Sequence, residues 1–294
     1  MFAIIGLLVV AGSVIAGFMM EKGNPHVLFQ PAELVIIFGA AMGSFFIASP
    51  PKVITAVVKK LGSILNSKSH GKKEYLELLL LLYHLFSKIR KEGLISIESD
   101  IEQPDNSPIF NTNKNTLAHK HLINFICDNL KIIITTNVIP HELENLMEIE
   151  TETYYHDAMI PSRSIAKVAD ALPGLGIVAA VLGVVLTMGK IDEPPSVLGH
   201  SIGAALVGTF LGVLMCYGFV GPLATNLEHK TKEDIVFFKA IKVAVVAFVG
   251  GSPPQMAVEF GRRAIPGKER PTFGELEDEI RGKKSEGQRP ENHY

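Results

Sequence analysis

The chain has 294 residues, 47% of them hydrophobic and 20% charged, with a net charge of −2. That balance excludes the strongly basic footprint of a nucleic-acid binder. Its two cysteines, Cys127 in a polar stretch and Cys216 in an apolar one, exclude a disulfide framework and read as small buried hydrophobes.

The apolar residues fall into four uncharged runs: Phe2–Met20, Leu34–Ser49, Leu172–Gly189 and Ser201–Pro222. A bilayer span takes about 20 mostly apolar residues. Three runs meet that length, and the second does so with Ala32 and Glu33 in the headgroup region. The first run lacks a basic n-region and outlasts a signal h-region, so it reads as a retained span. No run carries an ionisable residue near its middle. The spans are therefore expected to offer no proton relay or ion-binding carboxylate of their own, and a partner must supply that charge.

Small residues recur at four-residue spacing in these runs. Gly39 and Gly43 form one pair in the second span, and Gly199 and Gly203 another at the entrance to the fourth. Ala204, Gly208 and Gly212 continue one face over. Such faces let helix backbones approach closely in lipid. There are more of them than one small bundle needs, which points to packing against further copies or a partner.

Between the second and third spans the pattern is helical. Lys72–Arg90 is apolar but interrupted by Glu77 and His84, too short to span and suited to a buried cytoplasmic helix. Gly93 is placed as its stop, after Lys88, Arg90 and Lys91. Gln103–Thr116 reads as a loop. Helical patterns resume at Leu117–Ile134 and after Pro140, with Pro161 expected to kink or break the latter. Ile241–Val249 carries Lys242 and ends at Gly250 and Gly251, so it reads as a cytoplasmic helix. The residues from Pro266 onward, charged and rich in Gly and Pro, are expected to be disordered.

Lys and Arg set the topology. The short segments between spans one and two and between spans three and four hold one each, Lys22 and Lys190. The middle segment holds 14 and the part after Pro222 holds 12. Positive charge marks the cytoplasmic side. The expected protein is all-α, with four transmembrane helices in two pairs, a helical cytoplasmic domain between the pairs and a cytoplasmic C-terminal tail. The boundaries are 1–50 for the first two spans, 51–168 for the cytoplasmic domain, 169–223 for the last two spans and 224–294 for the final helix and tail.

No motif for catalysis, metal or cofactor binding emerges. Gly174 and Gly176 lie in an apolar span with no P-loop lysine after them. His119 and His121 are two apart and do not share a helix face. The chain is expected to be neither an enzyme nor a metal or cofactor protein.

The stretch Ile165–Gly189, running through Asp170, Pro173, Gly174, Gly176, Ala180, Gly183 and Thr187, resembles the third span of the MotA family of bacterial flagellar stator subunits. The resemblance continues through Leu198–Gly212 and Tyr217–Ala224, includes Gln30–Leu34 and Arg90–Leu94, and covers nearly the whole chain. It implies a pentamer of this chain around a dimer of a MotB-like single-span protein, whose membrane Asp binds the ion. It implies a multi-pass place in the bacterial inner membrane and a FliG-like rotor protein driven by charged cytoplasmic contacts.

Residue by residue, the resemblance implies that Arg90 and Glu98 meet the rotor. Pro173 and Pro222, at the predicted cytoplasmic ends of spans three and four, would couple carboxylate protonation to cytoplasmic movement. Thr209 and Ala180 would line the ion path. Ala180 brings no oxygen for a hard cation such as sodium, which favours protons. Two alternatives stay open. An ExbB/TolQ-type energising subunit shares the last two spans but usually has three. A self-contained secondary transporter calls for internal repeats and polar mid-membrane residues, which are not found here.

Overall fold

A computed structural model describes residues 2–64, 71–111 and 120–282. Its helices run in the order α1 (Phe2–Met20), α2 (Pro31–Ala48), α3 (Pro51–Ile64), α4 (Lys72–Glu92), α5 (Glu98–Glu102) and α6 (Pro108–Asn111). They continue with α7 (Lys120–Thr135), α8 (Pro140–Met188), α9 (Pro195–Leu214), α10 (Gly221–Val249), α11 (Pro254–Arg263) and α12 (Phe273–Ile280). Six of the twelve begin on proline, whose missing N–H and fixed φ cost nothing in a first turn. No strand occurs among the described residues. Among the described residues, four helical segments are long and apolar enough to cross a membrane: Ala3–Met20, Pro25–Ala48, Pro140–Met188 and Pro195–Val249.

The chain divides into two compact units, residues 1–68 with 158–230, and residues 69–157 with 231–294. The first holds the apolar spans. One of its cores joins Ile37 and Ala41 of α2 to Ala169, Leu172 and Ala179 of α8 and Val207 and Leu211 of α9. Another joins Phe45 and Val57 to Ile165, Ala224 and Leu227, which seats the amphipathic α3. The second unit is built on α4, whose Tyr75, Leu78, Leu79, Leu82, Leu85 and Phe86 are fully buried. Tyr75 stacks on Phe237 and Phe86 on Phe248, with ring centroids 4.3 and 4.4 Å apart. Gly261 of α11 packs so closely that a methyl there would lie 2.9 Å from the carbonyl oxygen of Ala240.

Five sequence expectations need correction. Of the kink or break expected at Pro161, the break does not occur, since α8 runs unbroken through both Pro161 and Pro173. Proline inside a helix costs about 3 kcal/mol. Here the flanking Met159, Ser162, Ile165, Ala169 and Leu172 are all buried, and their packing offsets that loss. Pro222 likewise lies within a continuous helical path, because α9 passes through a π-turn at Met215–Val220 straight into α10. So Ile241–Val249 is the end of α10 and not a separate helix.

The segment expected to be a loop from Gln103 contains a 3-10 turn, Pro104–Asn106, and α6, anchored by the fully buried Phe110. Residues 112–119, including His119 and the predicted helix start at Leu117, lie outside the described residues. The region after Pro266 is ordered through Gly282. Thr272 and Glu275 form a capping box at the start of α12, Leu276 is buried, and Glu275 accepts a hydrogen bond from Lys72 at 2.7 Å. Charge-rich composition imitates disorder, but a cap followed by one apolar anchor is enough to dock a short helix. Residues 283–294 lie outside the described residues.

Candidate functional site

Glycine and alanine bring α8 and α9 into backbone contact. A methyl placed on Gly176 would lie 2.8 Å from the carbonyl oxygen of Gly208. One on Gly212 would lie 2.6 Å from the carbonyl oxygen of Leu172 and 2.9 Å from the Cα of Gly176. One on Gly183 would strike the Cβ of Ala205 at 2.6 Å. Gly208 and Gly212 therefore serve a seam inside this chain. Gly39, Gly43, Gly199 and Gly203 meet open space within 4 Å. Gly176 and Gly183 were not singled out for packing, although seven residues, two helical turns, separate them on α8.

The seam gathers the two predicted path residues. Ala180 is half-buried, and its backbone nitrogen lies 3.2 Å from a methyl placed on Gly208. Thr209, the next residue, is half-buried, and its Cα lies 3.3 Å from a methyl on Gly176. Thr187 turns its hydroxyl back to the carbonyl oxygen of Gly183 at 2.8 Å, which keeps it in the helix's own bonding.

The same seam overturns the expectation that the spans bury no acid. Glu33, placed at the headgroup level by its position in the first turn of α2, is only 8% exposed. A methyl on Gly208 would lie 2.6 Å from its Oε2, and one on Gly183 3.5 Å from its Oε1. Counting along one helix ranks Glu33 as terminal. The glycines on the facing helices leave room for its side chain to lie against the seam instead. Glu33, Ile37, Ala41 and Phe45 fall at four-residue steps and form the buried stripe of α2.

The other predicted membrane residues lie elsewhere. Pro222 is exposed on an open cleft of about 690 Å³, whose lining includes Arg163, Asp170, Cys216, Gly221 and His229. The π-turn explains its neighbour. Gly221 donates its N–H to the carbonyl oxygen of Cys216, five residues back. A methyl on Gly221 would lie 2.7 Å from that oxygen. Pro222 has no N–H, so the widened turn ends where the ladder already lacks a donor. Pro173 is half-buried one turn after Asp170 in α8.

Within the second unit, α4 ends at Gly93, whose φ of 92° is open to glycine alone among ordinary residues. Arg90 and Glu98 flank this stop, are both exposed, and form no ion pair among the described residues. The structure adds the clamp that holds the turn. Lys88 pairs with Asp100 at 2.8 Å, and Ser107 donates to the other oxygen of Asp100 at 2.6 Å. Asp100 is buried, as are Ile97 and Ile101. Sequence reading placed Lys88 only as a helix-end base and missed Asp100 and Ser107, because this part-buried pair shows only once the chain turns back after Gly93. Leu94 and Ile95 stand between the two charges, and Ile95 is 74% exposed.

Comparison with known proteins agrees with this geometry. Residues 4–93 match the family described as motility protein A N-terminal, and residues 113–239 match the MotA/TolQ/ExbB proton channel family. Motility protein A of Escherichia coli K12 is 43% identical over 285 residues, covering 97% of each chain. Chemotaxis protein LafT of Vibrio parahaemolyticus is 36% identical over 273 residues, 93% of this chain and 96% of that one. Two solved structures share the fold. The C. jejuni MotAB structure has a TM-score of 0.76 at 18% identity, covering 92% of this chain and 98% of that one. The Bacillus subtilis flagellar MotAB stator complex scores 0.73 at 22% identity, covering 91% and 97%. A membrane unit with a glycine seam, a helical second unit and 43% identity along nearly the full length place this chain in the motility protein A family.

Proposed function

We infer that this chain is the membrane subunit of a flagellar stator. With a MotB-like single-span partner it forms an ion channel whose flux turns the flagellar rotor. The observation that carries this reading is the 43% identity to motility protein A over 97% of the chain, together with the close α8–α9 seam. The partner brings a membrane Asp, and the chain brings a ring of seams bearing Ala180 and Thr209. Five copies surround two partner helices, using the open small-residue faces at Gly39, Gly43, Gly199 and Gly203. The protein sits in the inner membrane with its second unit and C-terminus in the cytoplasm, where 26 of the 28 Lys and Arg residues then lie. Arg90 and Glu98 meet a FliG-like rotor protein through contacts of roughly 0–1 kcal/mol each, weak enough to break at every step. Pro173 and Pro222 pass ion-driven changes toward that end. The match of residues 4–93 to the motility protein A N-terminal family disfavours an ExbB/TolQ-type subunit.

The test is co-expression with the candidate partner in a host lacking stators. Swimming is measured across external sodium and pH. Motility that requires the partner and persists without sodium is expected, since Ala180 offers no oxygen to a sodium ion. An assembled complex that restores no motility overturns the stator reading. Motility that vanishes without sodium overturns the proton assignment alone.

A further inference from the structure

The membrane unit buries an acid that its packing does not explain. Glu33 is 8% exposed, and its Oε2 has no hydrogen-bond partner among the described residues. From the third position of a helix a glutamate can fold back to cap the backbone N–H preceding the first turn. Gln30 at that cap position receives no side-chain bond. Glu33 turns instead onto the α8–α9 seam, against Gly208 and Gly183. Its carboxyl fits there because both neighbours lack a Cβ; an alanine at 208 would place carbon 2.6 Å from Oε2.

The buried faces around it offer no counter-charge among the described residues. α1 has no ionisable side chain, nor has α8 from Pro173 to Met188, nor α9 from Ser201 to Leu214. Before α2, Glu21, Lys22 and His26 are exposed, as are Lys190, Asp192 and Glu193 between α8 and α9 and His200 on α9. An acid oxygen shut away from donors and cations is unfavourable. One small positive charge, on Oε2 or beside it, removes the mismatch.

We propose that Glu33 is a cation-binding carboxyl of this chain, taking a proton or an alkali cation in the cradle of Gly183 and Gly208. Proton uptake turns the carboxylate into a neutral acid and release restores its charge; a bound alkali cation is neutralised by the carboxylate in the same place. The site borders Ala180 and Thr209 on the seam. Binding stands on the geometry alone, whereas its place on the ion path rests on the stator reading.

Membranes containing the full chain with its partner are treated with a hydrophobic carbodiimide, which attacks carboxyls through their protonated form. The modified peptides are mapped by mass spectrometry. An adduct on Glu33 is expected. If the ligand is a proton, raising pH lowers the yield and sodium at fixed pH does not. If it is an alkali cation, sodium at fixed pH protects, and at ten times its Kd labelling falls about tenfold. No adduct on Glu33 under conditions that label the partner's membrane acid overturns the proposal. So does an adduct indifferent to both pH and sodium. These readouts use the wild-type protein and survive any folding defect of a variant.

Glu33→Gln then tests the path. In complex assembled at wild-type abundance it should lose ion flux into vesicles, while Glu33→Asp retains part of it. Wild-type flux through assembled Glu33→Gln removes Glu33 from the path. If the wild-type complex is itself non-motile, the stator reading fails, and the labelling result still decides cation binding.

Discussion

Replacing Gly212 with alanine should damage the membrane unit, whereas the same change at Gly203 on the same helix should not. At Gly212 the new methyl would lie 2.6 Å from the carbonyl oxygen of Leu172, 2.9 Å from the Cα of Gly176 and 3.2 Å from its nitrogen. All three are backbone atoms, so no side chain can rotate away. Carbon contacts settle near about 3.5–4.0 Å, so α8 and α9 must part by about 1 Å. Overfilling a packed site of this kind costs about 1–3 kcal/mol, a shift of about 5- to 150-fold in the folded ratio. A methyl on Gly203 meets nothing within 4 Å. There alanine should be neutral or slightly stabilising, because glycine is the poorer helix former by about 1 kcal/mol. The assay is the thermal midpoint of the detergent-solubilised chain, read from the loss of its monodisperse peak. Midpoints that agree for Gly212→Ala and Gly203→Ala would refute the seam. The pair also separates two kinds of packing: a bulky Gly203→Leu should leave this midpoint intact and reduce assembly into larger complexes if that face meets another copy.

Charge reversal at Arg90 should slow swimming without lowering the amount of assembled complex, and reversal of an acidic rotor residue should partly restore it; equal swimming at low and high load for Arg90→Glu, Glu98→Lys and the double variant would count against an electrostatic contact. Asp100→Ala should cost about 1–3 kcal/mol by unpairing Lys88 and Ser107. It should impair swimming although Arg90 and Glu98 are unchanged, whereas Asp100→Asn, which keeps an acceptor for Ser107, should be milder; swimming speed normalised to complex abundance measures both. Hydrogen bonds from Arg262, with Arg263 adding its own, hold the Glu259 carboxyl below the ordinary carboxylate range. Its charged form favours the fold, so that contribution is complete above the unfolded value of about 4.3 and is lost as pH falls through the lower folded value. Arg262→Gln should flatten this acid limb in melts taken across pH, and an unchanged limb would show that the pair is idle.

Most of the architecture was legible because membrane spans advertise themselves. The runs at Phe2–Met20 and Leu34–Ser49 became α1 and most of α2, and Gly93 stops α4 where a residue with positive φ was required. What stayed hidden depends on what faces a residue across space. Gly208 and Gly203 look alike in sequence, yet one meets Glu33 and Ala179 and the other meets nothing. Glu33 reads as a headgroup residue until two glycines on other helices are seen to make room for it. Pro161, Pro173 and Pro222 carry a local signal to stop, which the buried faces of their helices override. The pairing of Lys88 with Asp100 spans a chain reversal, and charges 12 residues apart give no local sign of it.

The π-turn at Met215–Val220 carries a consequence for the phase of everything after it. An extra residue in one turn rotates the following side chains by about 100° against an uninterrupted α-helix. With it, Val207 and Leu211 bury in one core and Ala224 and Leu227 in another beside Phe45 and Ile165. Deleting one residue within 215–220 could be absorbed as regular α-helix, with every backbone bond retained. The helix would survive and its address would not. Ala224 and Leu227 would swing off their partners, and the faces presented by Thr225 and His229 would move with them. This short stretch acts as a vernier: single-residue deletions here tune azimuth while leaving helicity untouched, and a scan of such deletions would read out which faces the neighbouring helices demand.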